Sequence, residues 1–211
     1  MAKTEPFDKF PDRYELWFER YHYTYLSELE AVKKAVPEGK GIEIGVGSGR
    51  FAAPLYIRYG VEPSLKMAKI AKEKGIYVVR GVAEYLPIKN FSFDFVLFVT
   101  TICFVDDIKK SFEESFRILK PYGKIIIGFI DKNSPLGVFY QKNREKNPFY
   151  RYATFFSTEE VLNLLQKTGF GNFKFFQTVF DFPEKISKVQ TVKEGYGEGS
   201  FVVVTAEKID R

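Results

Sequence analysis

The sequence predicts an α/β fold, a doubly wound and mostly parallel sheet with helices on both faces. Three observations carry that prediction. A short apolar run, 41–44, passes directly into a glycine-rich turn, Gly45-Val46-Gly47-Ser48-Gly49, and then into the start of a new segment. From there to residue 130, short apolar runs alternate with segments of helical period, the pattern of successive βαβ units. One run, 93–99, is apolar at nearly every position, as a central parallel strand covered on both faces must be.

The 211 residues, 45% of them hydrophobic, suffice for one domain with a full core and leave little for a second. The single cysteine, Cys103, has no intrachain thiol partner and removes any zinc knuckle, which favours a reducing, cytoplasmic setting. The first residues carry Glu5 and Pro6 where a signal peptide needs an apolar run, and no apolar stretch reaches the roughly 18 residues that span a bilayer, so no membrane association is expected. The net charge of +5 would suit nucleic acid, but 27 acids interleave with 32 bases, and a nucleic-acid partner is not expected.

Taken in order, Leu16, Trp17, Tyr21, Tyr25, Leu26, Leu29, Val32 and Val36 recur at helical spacing and predict one helix, or two with a kink, ended by Pro37. The cluster Tyr14, Trp17, Phe18, Tyr21, Tyr23 and Tyr25 is richer in rings than packing requires. It is read first as core, and second as a cover that closes over a ligand. After the glycine turn a short helix is expected at 51–58, with Pro54 tolerated in its first turn, where N–H groups have no internal partner. A strand at 59–62 follows, then a helix capped by Ser64 and stopped by Gly75, then a strand at 76–80. Beyond the 93–99 strand come a helix at 106–119, with Asp106 and Asp107 at its start, and a strand at 124–130. The segment 131–153 has no clear period and mixes Lys142, Arg144, Lys146 and Arg151 with Phe139, Tyr140, Phe149, Tyr150 and Tyr152. Ser157-Thr158-Glu159-Glu160 is a capping box opening a helix that Gly169 closes, and 173–180 and 200–208 read as two strands paired antiparallel.

The glycine turn is not a dinucleotide fingerprint, because the sixth position, where that motif has glycine, is Arg50; nor does it end in the Gly-Lys-Ser/Thr of a P-loop. A nicotinamide-dependent activity is disfavoured accordingly. Glu43-Ile44-Gly45-Val46-Gly47-Ser48-Gly49 instead resembles the first motif of the class I S-adenosylmethionine-dependent methyltransferases. The segments 81–88 (Gly-Val-Ala-Glu-Tyr-Leu-Pro-Ile), 91–96 and 116–124 (Phe-Arg-Ile-Leu-Lys-Pro-Tyr-Gly-Lys) are similar to their small-molecule, methyltransferase type 11 branch. The resemblance covers 41–130 well and the later elements in outline. It implies a Rossmann-like sheet of seven strands, one of them antiparallel and supplied by the C-terminal hairpin. It also divides the single methyltransferase domain into an aromatic helical cap (1–38), a cofactor-binding core (39–130), a substrate-side insertion (131–156) and a C-terminal helix and hairpin (157–211).

The resemblance further implies S-adenosylmethionine as methyl donor, with S-adenosylhomocysteine as product. Gly45, Gly47 and Gly49 would let it approach the backbone, Glu62 at the second strand's end would accept from both ribose hydroxyls, and Glu43 would serve the ammonium of its methionine portion. For Glu43 the alternative is a buried acid satisfying loop N–H groups, and for Glu62 a solvated acid beside a turn. Pro63, Ala83, Glu84 and Thr100 complete the expected contacts. Family members often place an acid where this chain has Val82, leaving the Ala83 backbone and Glu84 as the adenine partners. Arg50 is expected to project into solvent.

The acceptor is expected to be a small molecule methylated at nitrogen or oxygen by in-line displacement, an amine slightly favoured because aromatic faces hold cations. Thr100, Thr101, Cys103, His22, Asp131 and Tyr140 are the acceptor-pocket candidates, His22 being the only histidine and so the one imidazole base; no metal ligand set is present. Thr100-Thr101-Ile102-Cys103 is unlike the Asn/Asp-Pro-Pro-Tyr of DNA and glutamine methyltransferases, which argues against those acceptors. A monomer or homodimer is expected. The alternative function is a catalytically silent S-adenosylmethionine-binding module used for sensing or partner contact.

Overall fold

The computed structural model describes residues 3–209, so the reading of the extreme N-terminus at Met1 and Ala2 lies outside the described residues. Prolines set the first helices. Pro6 and Pro11 occupy first-turn positions of α1 (Glu5–Lys9) and α2 (Pro11–Arg20), where no N–H is needed. The helical period from Tyr14 onward is interrupted at Tyr21, whose φ of −112° and ψ of 45° leave the helical region before α3 (His22–Ala35) begins. The kinked alternative is therefore the observed one.

The sheet follows as β1 (Gly41–Ile44), β2 (Tyr59–Val61), α4 (Leu65–Glu73), β3 (Tyr77–Val79), β4 (Phe93–Val99), α5 (Ile108–Ile118) and β5 (Leu119–Ile130). The C-terminal part adds α6 (Pro135–Lys142), α7 (Thr158–Thr168), β6 (Phe170–Thr178), β7 (Lys193–Glu194) and β8 (Phe201–Lys208). Strand order is β3-β2-β1-β4-β5-β8-β6-β7. The first five are mutually parallel, and β8 runs antiparallel between β5 and β6. Because β1 is flanked by β2 on one side and β4 on the other, the chain reverses direction across the sheet there, and a crevice opens beyond the carboxyl ends of β1 and β4. One apolar cluster fills each face: Val46, Leu97, Val99, Ile126 and Phe201 with α3 on one side, Ile44, Val96, Phe98, Ile127 and Val202 with α5 and α7 on the other.

The seven-strand expectation is corrected to eight. The added strand, β7, is a two-residue exposed edge beside Phe176 and Gln177, too short for any alternation to announce it. The helix expected at 51–58 is a run of turns. Pro54 cannot return a hydrogen bond to the Arg50 carbonyl, which accepts the Tyr25 hydroxyl at 2.6 Å instead. The capping box stands as read: Ser157 Oγ accepts the Glu160 N–H, Glu160 accepts the Ser157 N–H, and Gly169 closes α7 at φ +106°. Asp107 caps α5, accepting from the Lys110 N–H at 2.9 Å. Among the described residues no helix is long and apolar enough to cross a membrane, and no three His, Cys, Asp or Glu side chains gather as a metal site.

Candidate active site

At the end of β1 the chain turns through Gly45 and Gly47, at φ +68° and +54°, a region L residues avoid. A Cβ on Gly45 would stand 2.3 Å from the Thr101 methyl, and one on Gly47 would stand 3.3 Å from the Tyr14 hydroxyl, so the loop is pressed from both sides. Gly49, also left-handed at +79°, lies off the cleft; its missing side chain makes room for Ile76 and α4.

Glu62 follows β2 directly and turns its carboxylate into the crevice. One oxygen accepts the Gly47 N–H at 2.9 Å and the other the Ser64 N–H at 2.8 Å. Burial pushes its pKa up to about 7, against the pull of those two N–H groups. A carboxylate offers about four acceptor directions, so two stay open toward the cleft, suited to a pair of hydroxyls. Glu43 is 2% exposed beneath the loop. It accepts the Ala52 N–H, burial holds its pKa well above the carboxylate range, and Oε2 has no partner. Its place fits the reading of a buried acid that satisfies a loop N–H.

The cleft is further lined by Pro63, Val82, Ala83 and Glu84. Glu84 is less free than expected, since one of its oxygens already accepts the N–H groups of Asp106 and Asp107 at 2.7 and 3.2 Å. Over the top lie Thr4, Phe7 and Tyr14 from the N-terminal helices. Three contacts tie them down. Ser64 donates to Asp8 at 2.6 Å, and Glu15 accepts the Ser48 hydroxyl while pairing with Arg50 at 2.6 Å. Arg50 therefore does not project into solvent as expected: it locks α2 to the loop and lies over the Phe18 ring.

Beside this cleft opens a chamber of about 950 Å³, walled by α2, α3, α6 and the segment after it. Phe7, Tyr14, Thr100 and Phe104 border both spaces, so these four residues form the wall that the two share. Thr100 is held at φ +49°, an outlying conformation for a β-branched residue, with its N–H on the Gly128 carbonyl and its own carbonyl accepting the Cys103 thiol. Burial pushes the Cys103 thiol up to about 12, so it is no nucleophile at neutral pH. Tyr140 and Tyr150 face the chamber with ring centroids 4.4 Å apart, and burial raises both hydroxyls, which stay protonated.

Three acceptor candidates are corrected. His22 is exposed at the start of α3, edge-on to Tyr23, and lines neither space. Asp131 is consumed structurally: one oxygen takes both the N–H and hydroxyl of Thr158, the other the Asn133 N–H. Thr101 backs the glycine loop, its hydroxyl donating toward the Val99 and Gly45 carbonyls, and lines the cleft alone. Thr100, Cys103 and Tyr140 do line the chamber. Sequence reasoning missed Glu28, a chamber residue only 4% exposed. The available signal was its place among Thr24, Ala31 and Val32 on the buried stripe of α3.

Comparison with known proteins agrees with this geometry. The family described as a methyltransferase domain matches residues 42–127. An uncharacterized protein of Methanocaldococcus jannaschii is 49% identical over 203 residues, 96% of this chain and 98% of that one. A crystal structure from Thermotoga maritima, of a SAM-dependent methyltransferase and possible histamine N-methyltransferase, superposes with a TM-score of 0.96 at 54% identity, covering 97% of this chain and 99% of its own. Haemonchus contortus phosphoethanolamine N-methyltransferase 2, in complex with S-adenosyl-L-methionine, shares the fold at a TM-score of 0.67 and 18% identity, over 97% of this chain and 60% of its own.

Proposed function

Because the chain belongs to the class I S-adenosylmethionine-dependent methyltransferases of type 11, we propose that it methylates a small molecule held in the aromatic chamber, at nitrogen or oxygen with an amine favoured. The observation that carries this reading is the adjacency of the cofactor cleft and the chamber across the shared wall of Phe7, Tyr14, Thr100 and Phe104.

The residues present fit the cofactor. S-adenosylmethionine supplies an electrophilic methyl group on a sulfonium. Glu62, with two acceptor directions open, takes the ribose diol; Gly45 and Gly47 keep the loop free of side chains where the methionine portion passes. Buried Glu43 lies beneath the loop with Oε2 unpartnered and its carboxyl held in the neutral form by burial, so its part would be to accept a hydrogen bond from that portion's ammonium, directly or through water. Pro63, Val82 and Ala83 form the apolar slot for adenine, and Glu84 fixes the start of α5 beside it. Phe7, Tyr14 and Phe104 give the shared wall an aromatic surface.

Displacement at a sulfonium needs alignment of nucleophile and methyl more than proton transfer. Proximity and orientation can supply about 7–11 kcal/mol, against about 3–5 kcal/mol from a general base. A shared wall fixed by the strained Thr100 backbone suits that requirement. The chamber has the size of a small-molecule site rather than a macromolecular groove. The test is methyl transfer from S-adenosylmethionine to a panel of amines, phenols and carboxylates, followed by mass spectrometry. A methylated amine or phenol is expected, and cofactor binding with no transfer to any member would overturn the reading.

A further inference from the structure

Glu28 is the only buried acid lining the chamber among the described residues. It sits on α3 at 4% exposure, and among the described residues its carboxyl has no hydrogen bond and no ion pair. A buried ionisable group without a partner is costly and ordinarily paired. The groups around it do not pair it: Tyr140 and Tyr150 are protonated phenols, Tyr25 donates to the Arg50 carbonyl, and Cys103 is a neutral thiol. The cations of the chamber, Arg13, Arg20 and Lys146, are exposed at the rim with Glu19 and Glu184, where solvent screens them.

We propose that Glu28 is the specificity-determining residue for the acceptor, and that the acceptor is a small organic amine whose ammonium rests on the Glu28 carboxylate among the rings of Tyr140 and Tyr150. This rests on the methyltransferase reading above. An acid with no internal partner, on the wall of a chamber lined by aromatic rings, is an environment that recognises an organic cation, through charge pairing and cation–π attraction together. An alcohol or phenol of the same shape could hydrogen-bond the neutral carboxyl but would gain no charge pairing. With its pKa near 8 Glu28 is mostly protonated in the free enzyme at pH 7, so pairing with an ammonium sends the carboxyl proton to solvent. Binding therefore releases close to one proton at pH 7 and strengthens as pH rises toward 8.

The test is calorimetry on the full chain saturated with S-adenosylhomocysteine. 2-Phenylethylamine, histamine, tyramine and tryptamine are titrated beside the uncharged 2-phenylethanol, tyrosol and tryptophol, in two buffers of different ionisation enthalpy. At least one amine is expected to bind about tenfold or more tighter than its alcohol, with proton release, and Glu28→Gln is expected to abolish that preference while leaving S-adenosylhomocysteine affinity unchanged. Amines binding no better than alcohols, amine binding without proton release, or an unchanged preference in Glu28→Gln would each overturn the proposal. The proton count comes from the unaltered protein and holds the test open if the variant fails to fold. Failure of S-adenosylhomocysteine itself to bind would strike the underlying methyltransferase reading instead.

Discussion

Replacing Glu28 by glutamine should stabilise the protein in a strongly pH-dependent way. The carboxyl is moved from its ordinary 4.5 to about 8 by burial. Below pH 4.5 the folded and unfolded chains both hold the proton and the displacement costs nothing. Between 4.5 and 8 the unfolded chain sheds a proton that the fold retains, so stability falls as pH rises; above 8 the full cost is present. At about 1.4 kcal/mol per unit the displacement amounts to about 4–5 kcal/mol, and water entering the chamber reduces this to about 3–5 kcal/mol. Glutamine keeps the shape and carries no charge. Urea denaturation of both proteins at half-unit intervals from pH 5 to 9 should give nearly equal stabilities at pH 5 and a gap that widens to about 3–5 kcal/mol by pH 8–9. Glu43 and Glu62 are displaced in the same direction but remain in both proteins, so they drop out of the difference. A gap that stays constant from pH 5 to 9 would refute the reasoning and mean that Glu28 finds a partner or water in solution.

Glu15→Gln removes the carboxylate that holds Arg50 and Ser48 to α2; with both side chains of the ion pair about a quarter exposed, the loss should be about 1–2 kcal/mol, seen by stopped flow as roughly 5–30-fold faster S-adenosylhomocysteine release. Unchanged release with lowered stability would mean that α2 does not gate the cleft. Gly45→Ala places a Cβ 2.3 Å from Thr101 at a left-handed φ and should cost about 2–4 kcal/mol of stability along with cofactor binding, as thermal melts with and without ligand would record. His22→Ala should leave turnover within about twofold, and a loss of about 100-fold would restore histidine as the base.

What the sequence disclosed was governed by short-range chemistry. The β4 run, the Ser64 and Ser157 caps and the stop at Gly75 each rest on neighbours a few residues apart, and each stands in the fold. Glu62 at the end of β2 was legible because strand ends and acids can both be read locally. Failures came where distant residues decide. The Arg50 carbonyl that might have continued a helix is taken by Tyr25, and Arg50 itself by Glu15. The helix α6 was passed over although Ser134 and Pro135 form a cap and first-turn pair, because the surrounding bases and rings hid its short apolar face. Asp131 was misread because its partner, Thr158, lies 27 residues on. Glu28 became visible only when α2, α3 and α6 closed around it.

Everything proposed above depends on Glu62 holding S-adenosylmethionine in the crevice beyond the ends of β1, β2 and β4. Calorimetric titration of S-adenosylhomocysteine into the wild-type chain and Glu62→Ala tests it most directly. Micromolar-range binding to the wild type is expected, weakened about 10–100-fold by loss of about 1.5–3 kcal/mol of charge-assisted hydrogen bonding. Absence of binding, or equal affinity in the variant, would contradict the claim.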